Sequence, residues 1–179
     1  SRRVNAPQAD AVPTPPTRNL TWEERFHYNE HFLESECQKL KGNYDAQIAL
    51  LEAALEINPD GPEALADLAV AKYATLNWGD SIVAEEIDSL LRRAIKLDPG
   101  NLNSREVRVD ILARNEKYKE AIEELEILAA KKPTTDVLSS LADLYRVAGD
   151  AQSAIRTINR LITIDGLKEE YALAKFQSY

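Results

Sequence analysis

The sequence contains no methionine and only one cysteine in 179 residues. Cys37 has no second cysteine to pair with, so no disulfide bond forms within the chain. This cysteine stands among apolar residues at helical spacing, which predicts a buried, unreactive thiol. Because methionine is missing even at position 1, we expect a processed or trimmed product from which any targeting signal has been removed.

The sequence also lacks long apolar runs and an excess of basic residues, and each of these absences excludes a class of function. No apolar run approaches the roughly 18 residues that span a bilayer, so no transmembrane segment is expected. Lys and Arg number 22 against 30 Asp and Glu, for a formal net charge of −8. Binding of a phosphate backbone depends on neutralisation by basic side chains, so we expect no nucleic acid partner. Glycine-rich phosphate loops, G-x-S-x-G elbows and CxxC pairs are also missing, and we expect neither an enzyme nor a cofactor.

Residues 1–20 differ in composition from the rest of the chain. They lack helical periodicity and contain four of the eight prolines, namely Pro7, Pro13, Pro15 and Pro16. Their few apolar groups cannot offset the entropy of ordering, which predicts a disordered, proline-rich linker. Three arginines against one aspartate give this segment a charge of +2, so residues 21–179 carry −10.

Proline and glycine end helical patterns at a regular interval in the remaining sequence. These ends fall at Pro59, Pro99 and Pro133, and then at Gly166, and the first interval is slightly longer than the other two. A period of about 34 residues, with two helices in each unit, is typical of an α-solenoid. One helix pair cannot bury its apolar face alone, so the pairs must stack.

Hydrophobic periodicity and helix caps place the helices within this period. Thr21 and Glu24 form a capping box before the first helix. Asp80 or Ser81 caps the fourth helix after a lengthened loop around 76–80. The predicted helices are about 22–41, 45–57, 62–75, 81–97, 102–115, 118–131, 135–148, 151–164 and 167–179. They group into repeats over about 28–61, 62–101, 102–134 and 135–166, followed by a terminal helix over 167–179.

Several residues recur in register around the turns between paired helices. They are the turn aromatics Tyr44 and Tyr118, the turn glycines Gly42 and Gly149, and the small interhelical residues Ala121 and Ala154. In this pattern residues 28–179 resemble the tetratricopeptide-repeat family. The resemblance implies an all-α fold, an α-solenoid of about four helix pairs plus a C-terminal helix. Gln47, Ile87 and the Asn115-Glu116 turn depart from the pattern.

The resemblance also implies a function. In this family the first helices of the pairs line a concave surface that binds other proteins, so the chain is predicted to be a non-catalytic interaction scaffold. The outward residues of these helices form the predicted groove: Glu36, Lys39, Glu63, Asp67, Val70, Tyr73, Glu106, Asp110, Arg114, Asp136, Ser139, Asp143 and Arg146. Seven are acidic and three are basic, which favours a basic or polar protein or peptide as partner. The alternative is ordinary solvated helix surface.

One short motif suggests a different class of function. His27-Tyr28-Asn29-Glu30-His31 matches H-x-x-E-H, a zinc-hydrolase signature. Histidines at i and i+4 share a helix face, so both could reach one Zn²⁺. The chain has no other histidine to act as a third ligand, and a surface pair is the favoured interpretation. A zinc-dependent hydrolase using His27, Glu30 and His31 is the alternative to the scaffold, and a structural spacer in a larger assembly is another.

Two apolar features have open interpretations. Trp78 lies in the lengthened loop, where it is either an anchor for a partner or a cover for the helix over 81–97. The terminal helix over 167–179 has no second helix to pair with, so its far side is expected to expose an apolar edge. Further repeats or a second copy would cover such an edge, which predicts self-association through the C-terminal edge.

Two segments resemble a narrower group of proteins. Residues 33–69 and 158–179 are similar to envelope tetratricopeptide proteins of Bacteroides-type bacteria. The resemblance implies an exported fragment in the periplasm or bacterial envelope, with the cytoplasm as the alternative location.

Overall fold

A computed structural model describes residues 19–179, which contain nine α-helices and no strand. The helices are α1 (Trp22–Leu40), α2 (Tyr44–Ile57), α3 (Pro62–Ala74), α4 (Ser81–Leu97), α5 (Leu102–Arg114), α6 (Tyr118–Lys131), α7 (Thr135–Val147), α8 (Ala151–Asp165) and α9 (Glu169–Gln177). The prediction of an all-α fold is confirmed. The expected linker lies outside the described residues except for its last two, which are not helical.

Local signals in the sequence account for where these helices begin. The Glu24 backbone N–H donates to Thr21 Oγ1 at 3.1 Å, and the Thr21 N–H donates to Glu24 Oε2 at 2.9 Å. This reciprocal pair is the predicted capping box of α1. At α4 the cap is Asp80, whose carboxylate accepts from the N–H groups of Ile82 and Val83 at 3.1 Å. Each cap satisfies amides that have no partner within the helix.

Three of the four turns inside the described helix pairs contain a residue with a left-handed backbone. Gly42 and Gly149 supply it between α1 and α2 and between α7 and α8, with φ of 71° and 82°. The turn between α5 and α6 has no glycine, and Glu116 takes the left-handed conformation there with φ of 59°. An L side chain in that region costs about 1–2 kcal/mol. The missing turn glycine therefore results in local backbone strain at Glu116.

The helices pack in chain order, each against the next, and α3 also contacts α5. This arrangement confirms an α-solenoid of helix pairs followed by a C-terminal helix. The small residues Ala121 and Ala154 are completely buried, as their place between paired helices predicts. A core made mostly of leucines and isoleucines continues from α5 to α9. No described helix is long and apolar enough to cross a membrane.

The apolar stripe of α1 faces away from the array. Trp22 and Leu40 are 79% and 88% exposed, and Phe26 and Leu33 are also exposed. Cys37 is exposed beside them, so the prediction of a buried thiol is wrong.

The opposite face of α1 explains this outcome. Tyr28 and Phe32 pack there against the core formed by α2 and α3, and Ser35 is completely buried. As the first helix of the described array, α1 has neighbours on one side only. Its second apolar face therefore stays in contact with solvent.

The C-terminal helix α9 docks through one residue above all. Tyr171 is buried in the core shared with α7 and α8, and its hydroxyl donates to Asp165 Oδ2 at 2.6 Å. On the far side Phe176 is 77% exposed and Leu173 is 55% exposed. The helix is shorter than predicted, and its outer side is the expected apolar edge. Self-association through this edge stays a prediction.

Candidate functional site

An open cavity of about 620 Å³ lies between α5 and α7. We call it the α5–α7 cavity. Its apolar floor comprises Val109, Ala113, Leu125, Leu128, Val137, Leu144 and Val147, and its rim carries the carboxylates of Glu106, Asp110, Asp136 and Asp143. Helical periodicity creates this division, because residues one or two turns apart share a face. All four carboxylates belong to the groove predicted from the sequence.

A second cavity of about 400 Å³ lies on the other side of α7, toward α9. We call it the α7–α9 cavity. Its floor is formed by Ala142, Ile158, Leu161, Tyr171 and Ala174, and its acidic residues are Asp136, Asp143, Asp165 and Glu170. Asp136 and Asp143 therefore line both cavities. Ser139, another predicted groove residue, lines the α7–α9 cavity alone.

Most rim carboxylates of the α5–α7 cavity already have a basic partner. Glu106 lies 3.7 Å from Lys132, Asp110 accepts from Arg114 Nε at 3.1 Å, and Asp143 lies 3.0 Å from Arg146. For Asp136, the described part of the chain provides no ion pair and no side-chain hydrogen bond. An exposed carboxylate without a partner is well suited to bind a basic group from another molecule.

The N-terminal part of the predicted groove is a separate acidic cluster. Lys39 Nζ lies 3.3 Å from Glu36 Oε1 and 3.9 Å from Asp67 Oδ1. Burial raises the pKa of Asp67 to about 6, a hydrogen bond with Glu36 adds to the increase, and the Lys39 charge opposes it. Two further predicted groove residues on α3, Glu63 and Val70, line neither of the two cavities.

The raised pKa of Asp67 leads to a testable pH dependence. We expect its carboxyl to titrate near pH 6, whereas an unfolded aspartate titrates near pH 4. Because the folded pKa is the higher one, Asp67 favours the folded state below about pH 4, and this contribution is lost as the pH rises through 6. Carbonyl-detected NMR titration of the Asp67 side chain measures the midpoint directly.

Two substitutions should move that midpoint in opposite directions. Lys39→Met removes the positive charge and should raise the pKa of Asp67, whereas Glu36→Gln removes a negative charge and should lower it. If neither variant moved the midpoint, the three side chains would not interact in solution.

Trp78 contacts two of the predicted groove residues, Tyr73 and Arg114. Its ring lies edge-to-face against Tyr73 at 5.6 Å between centroids, and the Arg114 guanidinium lies 4.2 Å from its ring centroid. The Tyr73 hydroxyl donates to Asp110, which also accepts from Arg114. Trp78 is thus held by side chains of α3 and α5, and it remains 44% exposed. Periodicity could not show this contact, because it depends on the path of the loop.

A buried ionic network between α4, α5 and α6 was missed by sequence reasoning. Arg108 donates from Nε to Asp88 at 2.8 Å and from Nη1 to Glu124 at 2.6 Å, and Arg105 Nη1 donates to Glu124 at 2.7 Å. All four side chains are buried. The sequence did contain a signal for this network. Arg105 and Arg108 both lie on the inward face of α5, where an apolar residue is usual. This network joins the second helix pair to the third.

The histidine motif over residues 27–31 forms no metal-binding group with other described side chains. His27 and His31 lie on α1, and His27 Nδ1 is 3.3 Å from Glu30 Oε2 on the helix surface. Among residues 19–179, no three His, Cys, Asp or Glu side chains are grouped so as to hold a metal ion. The hydrolase hypothesis therefore gains no support from the geometry.

Stacked helix pairs with cavities between their first helices define a helical-repeat interaction module. Two models of the tetratricopeptide repeat match the sequence, over residues 106–167 and 31–60, and together they cover just over half of the chain. The chain belongs to the tetratricopeptide-repeat family. Members of this class act as protein-interaction scaffolds and are typically not catalytic.

Solved structures with the same fold come from several bacteria. A MamA fragment from Desulfovibrio magneticus RS-1 is 17% identical, with a TM-score of 0.67 over 88% of this chain and 85% of that one. PilF from Pseudomonas aeruginosa is 18% identical, with a TM-score of 0.60 over 87% and 69%. A tetratricopeptide repeat protein from Parabacteroides merdae is 15% identical, with a TM-score of 0.71 over 86% and 59%. At these identities the similarity establishes the fold alone.

Proposed function

We propose that this protein is a non-catalytic scaffold that binds a basic polypeptide segment of a partner protein in its acidic concave groove. The observation that carries the proposal is the α5–α7 cavity, in which four carboxylates surround an apolar floor. One of them, Asp136, forms no ion pair within the described residues. A lysine or arginine of the partner supplies the missing charge, and an adjacent apolar side chain enters the cavity.

The two parts of the site contribute differently to binding. A buried aliphatic side chain contributes about 1.5–3 kcal/mol when it leaves water completely. Each exposed ion pair adds at most about 1 kcal/mol, because solvent and salt screen it. The floor therefore provides most of the affinity, while the rim selects basic sequences and speeds their association.

A charge-removal experiment tests this function. The probe is a fluorescein-labelled octapeptide that contains lysines and a single leucine, and its binding is followed by fluorescence anisotropy in dilute buffer. We expect the double variant Asp136→Asn/Asp143→Asn to raise the Kd by about tenfold, which corresponds to about 1.4 kcal/mol. Added salt should weaken binding to the unmodified protein more than binding to the variant.

The matched control is Asp45→Asn. Asp45 is an exposed acidic residue in the first turn of α2, as Asp136 is in the first turn of α7, but it lines neither cavity. Its substitution should leave the Kd unchanged. The control removes one charge where the double variant removes two, so weakening of about threefold in the control would assign binding to net charge rather than to the groove. No binding to the unmodified protein would contradict the proposed function.

We also propose that the protein works in the periplasm or bacterial envelope. Support comes from the resemblance of residues 33–69 and 158–179 to envelope proteins of Bacteroides-type bacteria. Fractionation of the native host with an antibody against the chain tests this location, and recovery in the cytoplasmic fraction would contradict it.

A further inference from the structure

We propose that two copies of this chain associate through α1, whose outer sides meet as an antiparallel pair around a twofold axis. The contact is made by the apolar stripe of α1, which we define as Trp22, Phe26, Leu33 and Leu40. Trp22 of each copy meets Leu40 of the other, and Phe26 meets Leu33. The contact lies at the end of the array opposite to α9, and it does not depend on the proposed function.

The first argument is that the stripe is continuous and uncovered. Phe26 and Leu33 lie seven residues apart, as do Leu33 and Leu40, so at about 3.6 residues per turn they share one side of α1. The ring of Trp22 stacks on that of Phe26, with 5.7 Å between centroids. All four side chains are more than half exposed. Within residues 19–179, α1 has helices on its other side only.

The second argument is the area of the stripe. Aromatic side chains present about 150–250 Å² each, so the exposed fractions give on the order of 500 Å² of apolar surface. The largest apolar patch on a monomer is about 300–600 Å² and is often functional. Two stripes that meet face to face bury roughly 1,000 Å², which is the lower limit of a specific interface. The dimer is therefore weak, with a Kd in the micromolar range.

The third argument is charge complementarity along both flanks of the stripe. Around a twofold axis, the same flank of two antiparallel helices comes together in opposite directions. One flank carries Arg25 and Glu36, which are about three turns apart, and the other carries Glu23 and Lys41, which are about five turns apart. Each flank thus has one acidic and one basic end, and each end meets its opposite in the second copy. The described residues provide no ion pair for Glu23, Arg25 or Lys41.

One contact in this register is unfavourable. Glu30 comes near Glu34 of the second copy beside the twofold axis, and both side chains are exposed. Like charges at close range repel, which weakens the dimer. Removal of one of these charges should therefore strengthen the association.

The dimer would present two grooves at once. Helix α1 contributes no residue to the α5–α7 cavity or to the α7–α9 cavity, so both stay open in each copy. A partner with two basic segments would then bind both grooves, and the second contact would gain from a high effective concentration.

Trp22 fluorescence tests the association, once Trp78→Phe has removed the other tryptophan. We expect its emission to shift to the blue as the protein concentration rises through the micromolar range, with dimer formation in sedimentation velocity. Leu33→Ser/Leu40→Ser should weaken the dimer by about tenfold or more. Both leucines are exposed, so circular dichroism and Tm should stay unchanged. The matched control is Leu173→Ser on the outer side of α9, which should leave the Trp22 shift as it is.

Charge variants test the antiparallel register. Glu23→Lys and Lys41→Glu should each weaken the dimer by about fivefold, and the double variant should restore it, because the swapped charges still meet their opposites. Glu34→Gln should tighten the dimer by about threefold. Glu123→Gln, which removes an exposed carboxylate on α6, should not.

Three results would overturn the proposal. Red-shifted Trp22 emission at every concentration would show that the stripe stays in water. Blue-shifted emission from a monomer would show that the same chain covers the stripe. A double charge variant weaker than either single variant would exclude the antiparallel register.

Discussion

Replacement of Arg108 by alanine is expected to lower the free energy of unfolding by about 3–5 kcal/mol. Arg108 donates to Asp88 and to Glu124 in the buried network between α4, α5 and α6. Burial lowers the pKa of Arg108, but the hydrogen bonds and charges of these carboxylates outweigh it and raise the pKa. Without the guanidinium, Asp88 keeps only the half-exposed Arg92 as a partner and Glu124 keeps only Arg105. Two buried carboxylates thus lose part of their charge compensation, which is costly. Chemical denaturation followed by circular dichroism measures the loss.

Arg92→Ala is the matched control for this experiment. Arg92 also pairs with Asp88, at 3.1 Å, but more than half of its side chain is exposed. Exposed ion pairs contribute at most about 1 kcal/mol, so we expect a loss below that value. Similar losses in both variants would show that the network is hydrated in solution and does not hold the second and third helix pairs together.

Leu141→Ala is the second substitution with a large expected effect, a loss of about 2–5 kcal/mol in the free energy of unfolding. Leu141 is completely inaccessible to solvent in the core of α5 to α9, where Leu125, Leu138 and Ile158 are also buried. Truncation removes the transfer free energy of its methyl groups and leaves a cavity that a close-packed core fills only partly. Urea denaturation of the variant and of the unmodified protein gives the difference.

The control for Leu141→Ala is a leucine-to-alanine substitution at Leu173, on the solvent-exposed side of α9. Leu173 is 55% exposed, and Leu173→Ala should change stability by less than about 0.5 kcal/mol, as is usual at surface positions. A small loss for Leu141→Ala would mean that the core around it is not packed as described. A large loss for Leu173→Ala would mean that another molecule covers the outer side of α9.

Local patterns predicted the helices well because helix formation depends on local rules. Helical periodicity marks each helix, and the caps at Thr21 and Asp80 mark where two of them begin. The regular recurrence of helix ends also predicted the stacking, since a helix pair cannot bury its apolar face alone. The four rim carboxylates of the α5–α7 cavity could be predicted for the same reason, because residues on the outward face of a first helix follow from its register.

What the sequence by itself determined is therefore the order of the helices, their pairing and the acidic character of the groove. The tertiary structure alone decided which face of α1 is buried, how Trp78 meets Arg114, and how Arg108 joins Asp88 to Glu124. It also decided that Asp136 serves two cavities. Burial and charge pairing depend on which neighbours stack against a helix, and a periodic pattern shows that a face is apolar without showing what covers it.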